Sequence, residues 1–175
     1  MDSQAVGAYG EKAVEAELLR RGWLPANVNA SVKNAEAFDI FARKTGQFVG
    51  LRVKTCGVGW QAFQFNFPRD REIKTTVEAT DFTILVSMGD TRARDEFYIL
   101  PTREVRAAIA AHRSHYLATL KRDGSRRKDT GQWTIYLKNL ASGLERPSHG
   151  YAETWRSYLD RWDILDGTFA SEADR

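Results

Sequence analysis

The stretch that decides the fold is "FDIFARKTGQFVGLRVKTCG", residues 38–57. It holds most of one apolar run, residues 37–43, and the whole of a second run, residues 47–55, with a Lys-Thr-Gly turn between them. Two apolar runs joined by a short turn that contains glycine are typical of a β-hairpin. We therefore expect two antiparallel strands here.

Each predicted strand carries charge where an interior strand would be apolar. Asp39 lies between Phe38 and Ile40, and Arg52 and Lys54 alternate with apolar residues in the second run. Residues two apart on a strand point to the same face, so Arg52 and Lys54 share a face, and Asp39 can come near it from the neighbouring strand. Such a group is either a structural ion pair or a site where a carboxylate holds a divalent cation and a lysine steadies a water or a phosphate oxygen.

Apolar periodicity outside the hairpin predicts both helices and strands. Residues 3–22 have helical spacing and end at a glycine, residues 61–67 alternate strictly, and residues 81–88 form a continuous apolar run. A leading helix followed by clustered strands and later helices indicates an α/β fold, a mixed β-sheet flanked by helices. The other predicted elements are a weak strand at 26–32, a short helix or irregular segment at 70–79, a strand at 96–101, a helix capped by Thr102, a strand at 133–137 and a helix at 151–162.

Length and composition indicate one globular domain. A chain of 175 residues can bury a hydrophobic core, and we expect a single domain at residues 1–167 with a frayed tail at 168–175. No apolar run approaches the roughly 18 residues of a membrane span, and the N-terminus lacks the order of a signal peptide. Cys56 is the one cysteine and has no partner for an internal disulfide, so the expected location is the reducing cytoplasm.

Basic residues are concentrated in one segment. The net charge is only +3, but "KRDGSRRK" at residues 121–128 holds five cations against one acid. A loop of this kind suits a phosphate backbone, and the alternative interpretation is a solvated, mobile loop. The candidate backbone contacts are Lys121, Arg122, Arg126, Arg127 and Lys128.

Aromatic side chains supply two further features. Trp60 lies in a glycine-rich connection next to the hairpin, where it either stacks on a base or folds back on the core. Tyr151, Trp155, Tyr158 and Trp162 recur at intervals of three or four residues. This spacing predicts one face of a helix that packs on the sheet and favours packing over base stacking.

Two segments resemble the core of a nuclease superfamily. "GEKAVEAELLRRGW", residues 10–23, and the hairpin stretch are similar to the PD-(D/E)XK superfamily, which includes restriction endonucleases and archaeal-type Holliday junction resolvases. The resemblance implies a restriction endonuclease-like sheet with an α-β-β-β-α-β core. The matching residues are the helical pair Gly10-Glu11, the strand acid Asp39, and Arg52-Val53-Lys54, where members have an acid, any residue and lysine.

The resemblance also implies magnesium chemistry, with one departure. In an active member Asp39 would ligate Mg²⁺ or Mn²⁺, Glu11 would assist, and Lys54 would position water or stabilise charge at phosphorus. Members place Glu, Asp or Gln where this chain has Arg52, and arginine offers a metal no lone pair and stays charged. Arg52 therefore predicts a damaged metal site. Its alternative roles are a phosphate clamp with Lys54 or a buried ion pair with Asp39 or Glu11.

The resulting prediction is a nucleic-acid-binding protein, with DNA as the expected ligand. It is either a divergent magnesium-dependent endonuclease or a relative that has lost cleavage. The alternative from another class is a non-catalytic protein-interaction module, or a partner subunit of a DNA repair or defence complex. Superfamily members often dimerise, so the resemblance is also compatible with a homodimer.

Overall fold

The structure is a computed structural model that describes residues 2–28, 38–69, 72–138 and 147–167. Short 3-10 helices span Arg92–Arg94, Arg156–Tyr158 and Trp162–Asp166. The regular elements, in chain order, are helix α1 (Ser3–Arg20), strands β1 (Leu24–Asn27), β2 (Ile40–Lys44), β3 (Gln47–Cys56), β4 (Ala62–Asn66), β5 (Asp81–Ser87) and β6 (Glu96–Pro101), helix α2 (Thr102–Ala118), strand β7 (Gln132–Tyr136) and helix α3 (Tyr151–Thr154).

Five strands form the main sheet, in the order β1-β2-β3-β5-β6. Strands β3 and β5 are parallel, and the other neighbours are antiparallel, so the sheet is mixed. The predicted α/β fold, a mixed sheet flanked by helices, is confirmed. Strands β4 and β7 form a separate two-stranded sheet, and the chain reaches β5 through residues 72–80, which have no regular secondary structure.

The predicted hairpin is β2 and β3, and its turn has the expected chemistry. Ile40 pairs with Leu51 at the open end, and the turn residues Thr45 and Gly46 both have positive φ, 47° and 83°. Two central residues with positive φ define a type I′ turn, and the twist of this turn matches the twist of the two strands that it joins. Glycine takes this conformation without cost, whereas Thr45 is β-branched and takes it with strain.

The two faces of the main sheet are covered by different layers. On the first face, Leu51 and Val53 of β3 pack in a cluster with Val14 and Leu18 of α1 and with Trp162. The second face is covered by the β4–β7 sheet and α2, whose buried side chains include Phe63, Phe65, Ile109 and Trp133. Because side chains alternate along a strand, Arg52 and Lys54 point toward the second layer.

The predicted C-terminal helix at 151–162 is wrong. Helix α3 ends at Thr154, and Leu159 then pairs with Tyr98 as an isolated bridge on the outer edge of β6. Asp160 follows with a φ of 53°, a conformation that no α-helix contains. The aromatic residues do pack, as expected, but Trp155 and Trp162 are buried in opposite faces of the sheet.

Three smaller predictions were also changed or left untested. The weak strand expected at 26–32 is β1, which begins and ends earlier, and residues 29–32 lie outside the described part of the chain. Thr102 begins α2 but does not cap it, because its hydroxyl is 3.0 Å from that of Thr83 and both residues are buried. The tail at 168–175 also lies outside the described residues. Among the described helices, none is long and apolar enough to cross a membrane.

Candidate functional site

Strand β3 extends well beyond its partner β2, and no other strand of the described residues pairs with that part of its edge. β3 has 10 residues, but β2 pairs only with its first half, Gln47–Leu51. The second half, Arg52–Cys56, pairs with β5 on its other side. Side chains from outside the sheet can therefore reach the edge of β3 where the charged residues lie.

Asp39 occupies the point where β2 separates from β3. Its backbone N–H donates to the Leu51 carbonyl at 2.9 Å, and its carboxylate Oδ2 accepts from the Val53 backbone N–H at 2.7 Å. The carboxylate thus supplies the acceptor that a continuing β2 backbone would have supplied. Because Val53 lies between Arg52 and Lys54, this hydrogen bond fixes an acid beside both cations.

The Gly10-Glu11 pair brings a second carboxylate to the same place. A Cβ on Gly10 would lie 1.8 Å from Thr55 Oγ1, so the absence of a side chain lets α1 touch β3. Glu11 follows directly, and its Oε2 accepts a hydrogen bond of 2.9 Å from the Asn27 amide. The same amide donates to Glu15, also at 2.9 Å. Asn27 therefore ties the acidic face of α1 to β1.

Lys54 shows that the four charged groups interact. Its side chain is half-buried, with Nζ 5.8 Å from the centroid of the Phe65 ring. Burial lowers the pKa of Lys54, and the charge of Arg52 lowers it further, whereas the Asp39 and Glu11 carboxylates raise it in part. The structure thus brings Asp39, Glu11 and Arg52 within electrostatic range of Lys54.

Arg52 lines a cavity between β3 and the second layer. The cavity has a volume of about 280 Å³ and is also lined by Arg106 of α2 and Asp81 of β5. Burial lowers the pKa of Arg106, and the nearby charge of Arg52 lowers it further, while Asp81 opposes the shift. The cavity therefore holds two guanidinium groups close enough to repel each other, with the Asp81 and Glu78 carboxylates also in its lining.

Sequence reasoning missed Arg106 and Asp81. Asp81 opens an apolar strand, and Arg106 is one of several basic residues on a helix, so neither stands out. The parallel pairing of β3 with β5, which sets Gly50 opposite Asp81, and the packing of α2 on the sheet bring them next to Arg52. That pairing joins residues about 30 positions apart, and no short-range pattern in the sequence predicts it.

Among the described residues, the carboxylates at this site make a poor set of ligands for a magnesium ion. Across the described ranges, no three His, Cys, Asp or Glu side chains are grouped as metal ligands. Asp39 and Glu11 each already accept a hydrogen bond, and the cations Arg52 and Lys54 balance their two negative charges. Magnesium needs oxygen ligands and a surplus of negative charge, and arginine supplies neither.

The basic loop lies apart from this group. Ile109 is the last α2 residue that lines the cavity, and the helix continues for about 13 Å, at 1.5 Å per residue, before it ends at Ala118. Arg127 is held in place, because it donates to the Thr119 carbonyl at 3.1 Å and its guanidinium lies 4.8 Å from the Tyr116 ring centroid. The exposed members of the loop are Lys121, Arg122, Arg126 and Lys128.

Trp60 follows β3 and is exposed to solvent. Its side chain is 70% exposed, so the interpretation in which it folds back on the core is wrong. Its carbonyl accepts from the buried Cys56 thiol at 2.8 Å, which ties the loop to the end of β3. The indole is therefore held at the surface four residues beyond Cys56, the last residue of β3.

Comparisons with known proteins place the fold but not the family. No protein-family model and no curated protein matches the sequence. Among solved structures, the chain is similar to a bacterial homing endonuclease, with a TM-score of 0.54 and 12% sequence identity over 100% of both chains. At this identity the similarity shows the fold alone. The chain therefore has a nuclease-like α/β fold.

Proposed function

We propose that this protein binds nucleic acid, with DNA as the first ligand to test, at the half of β3 that does not pair with β2. The observation that carries the proposal is the position of Arg52 and Lys54, on one face of β3 beyond the part that pairs with β2, in a nuclease-like fold. Arginine binds phosphate through two parallel hydrogen bonds, and lysine adds a compact charge beside it. Contacts of this kind position a nucleic-acid backbone.

Asp39 and Glu11 have a supporting role in this proposal. The pKa of Lys54 is lowered by burial and by Arg52, and both carboxylates act against that shift. They therefore help Lys54 to stay protonated at neutral pH, which a phosphate-binding lysine requires. In addition, the hydrogen bond from Val53 to Asp39 fixes the backbone between the two cations.

The same charge balance supports binding without cleavage. Two carboxylates offset by two cations give the site no net negative charge with which to hold a divalent ion. We therefore propose a cleavage-deficient relative of the PD-(D/E)XK nucleases. In this protein Arg52 contacts a phosphate where an active enzyme has a metal-binding acid.

A second candidate function is a divergent magnesium-dependent endonuclease. It is favoured by one observation: Asp39 and Glu11 both act electrostatically on Lys54, as the resemblance to the superfamily implies. In that case Asp39 and Glu11 would hold Mg²⁺ or Mn²⁺, and the ion would supply a Lewis acid for phosphodiester hydrolysis.

Fluorescence anisotropy with a labelled DNA duplex, measured between about 50 and 200 mM salt, tests the proposal. Arg52→Gln and Lys54→Gln should each weaken binding and reduce the salt dependence by about one phosphate contact. Arg20→Gln is the matched control. It removes the same charge from an exposed position at the far end of α1, where Arg20 pairs with Glu17, and it should change neither quantity.

Plasmid nicking with Mg²⁺ or Mn²⁺ separates the two candidates. The proposed function predicts no nicking by the wild type, whereas nicking that disappears in Asp39→Asn would establish the endonuclease. DNA affinity that does not depend on salt, or that is unchanged in both β3 variants, would refute a phosphate site. The protein would then be better described as a protein-interaction module.

A further inference from the structure

We infer that the substrate class is single-stranded nucleic acid, which lies on an aromatic row across β2 and β3 and inserts one nucleotide into the cavity beside Arg52. The aromatic row is Phe48, Phe41 and Phe38. The inference rests on the proposed function and makes it more specific. It depends on three observations: exposed rings, a ring that joins them to the cavity, and the chemistry of the cavity walls.

Two rings of the row are exposed on the second face of the hairpin. Phe41 is 46% exposed and Phe48 is 62% exposed. The register pairs Phe41 with Gly50 and Arg43 with Phe48, and paired residues of antiparallel strands share a face. The Arg43 guanidinium lies 5.6 Å from the centroid of the Phe48 ring. The hairpin therefore presents flat apolar rings with a cation among them.

Phe38 connects these rings to the cavity. Its ring centroid is 5.1 Å from that of Phe41, and its ring atoms also line the cavity. The ring lies directly on Gly50, where an added Cβ would be 2.5 Å from it. Gly50 is therefore the position that lets the Phe38 ring approach the sheet this closely. Phe38 joins Phe41 to the cavity, and Phe48 lies on the same face of the hairpin.

The cavity walls match the parts of a nucleotide. Phe38, Phe65 and Phe67 give apolar surfaces on which a base can stack, and Arg52 and Arg106 give two cations for a phosphate. The lining also contains two carboxylates, Glu78 and Asp81. The Asp81 carboxylate can accept a hydrogen bond from an exocyclic amino group of a base. A volume of about 280 Å³ lies just below the usual range for drug-sized ligands, which suits one nucleotide and excludes a duplex.

A single strand fits this surface better than a duplex or a second copy of the chain. Bases in a duplex are stacked on each other, so their faces are not available to Phe41 and Phe48, whereas the bases of a single strand are free to stack on protein rings. A second copy of the chain on this surface would have to bury the Arg43 guanidinium, whereas the phosphates of a nucleic acid would pair with it.

The first test compares a labelled single strand with a duplex of the same length. The wild type should bind the single strand at least tenfold more tightly. Phe41→Ala and Phe48→Ala should each lower single-strand affinity by about tenfold, because each removes one stacking partner, and should lower duplex affinity less than twofold. Leu19→Ala, an exposed apolar truncation on α1, is the control and should change neither affinity.

The second test addresses the cavity. A single strand with 2-aminopurine at its end should change fluorescence on binding to the wild type but not to Arg106→Gln. Arg103→Gln, an exposed position on the same helix, is the matched control and should behave as the wild type. Competition by a free nucleoside monophosphate distinguishes a pocket that takes any nucleotide from one that takes only the end of a strand.

The outcomes separate this inference from the proposed function. If the β3 variants lose salt-dependent binding but single strand and duplex bind equally, and Phe41→Ala and Phe48→Ala are neutral, the inference is overturned and the phosphate site stands. If no nucleic acid binds and the chain is a dimer that either phenylalanine variant dissociates, both proposals are overturned. The aromatic row is then a self-association surface.

Discussion

Substitution of Gly10 by alanine should destabilise the protein, although alanine is the better helix former. An ideal Cβ at this position lies 1.8 Å from Thr55 Oγ1 and 2.8 Å from Thr55 Cβ. Rotation of the threonine side chain removes the first contact but not the second, because the backbone fixes the position of Cβ. The helix must therefore move away from β3, and Glu11 must move with it.

The expected loss of stability is the difference between the cost of overpacking and the gain in helix propensity. Overpacking a buried contact costs about 1–3 kcal/mol, and the shortness of this contact favours the upper end. Replacing glycine by alanine inside a helix stabilises the helix by about 1 kcal/mol. The net loss for Gly10→Ala is therefore about 2 kcal/mol. An alanine Cβ at Gly7 in the same helix would meet no atom within 4 Å. Gly7→Ala should therefore raise the free energy of unfolding by about 1 kcal/mol.

Urea unfolding of both variants measures this difference of about 3 kcal/mol. For a domain of this size the melting temperature should fall by about 4–8 °C for Gly10→Ala and rise by about 2–4 °C for Gly7→Ala. A double-mutant cycle with Thr55→Gly provides the control, because the loss should shrink once the Thr55 side chain is removed. If Gly10→Ala stabilised the protein as Gly7→Ala does, the close contact between α1 and β3 would be wrong.

Three further predictions concern the hairpin. Asp39→Ala leaves the Val53 N–H without its acceptor and should cost about 1–3 kcal/mol in urea unfolding; Asp39→Asn keeps an acceptor oxygen and should cost clearly less, and equal losses would contradict the hydrogen bond. Thr45→Asn should raise stability by about 1 kcal/mol, because asparagine tolerates positive φ better than a β-branched residue, and a loss would argue against this turn. Lys54→Met should raise stability at pH 7, since burial lowers the pKa of Lys54 and the charged form is disfavoured in the fold. As pH rises toward the ordinary value of 10.5 the wild type regains that stability, so the gain should shrink, and a gain that stays constant with pH would refute the shift.

Much of the fold follows from local sequence patterns. The hairpin, α1 and β5 were predictable because each depends on short-range chemistry: the turn at Thr45-Gly46, helical spacing that ends before Gly22, and an apolar run buried on both faces. Gly22 has a φ of 80°, as expected for a glycine just after a helix end. These features need no knowledge of what lies next to them in space.

What the sequence did not predict depends on contacts between residues far apart in the chain. The aromatic spacing from Tyr151 to Trp162 is helical, but the bridge between Leu159 and Tyr98 interrupts the helix, and only the folded sheet supplies that bridge. Likewise, strand β4 alternates as a sheet strand should, yet pairs with β7 about 70 residues later instead of joining the main sheet. In the first case a tertiary contact outweighed local propensity, and in the second the local pattern predicted the strand but not its partner.

The residues of the candidate site also differ in whether local sequence patterns could place them. Asp39, Arg52 and Lys54 could be placed together from the geometry of a hairpin, because the turn fixes the register. Glu11 required the resemblance to a nuclease core. Arg106 could not be found from the sequence, because its position beside Arg52 depends on how α2 crosses the second face of the sheet.

The two margins of the main sheet also bear on how the protein behaves in concentrated solution. The bridge from Leu159 occupies one margin at Tyr98, and the outermost strand at the other margin contains Pro25, which has no N–H to offer. Unpaired edge strands can pair with strands of other chains and so promote aggregation. Proline in an edge strand opposes this pairing because it has no N–H to donate. Replacement of Pro25 by a β-branched residue would remove that protection, and it is therefore a substitution to avoid when this chain is engineered for expression.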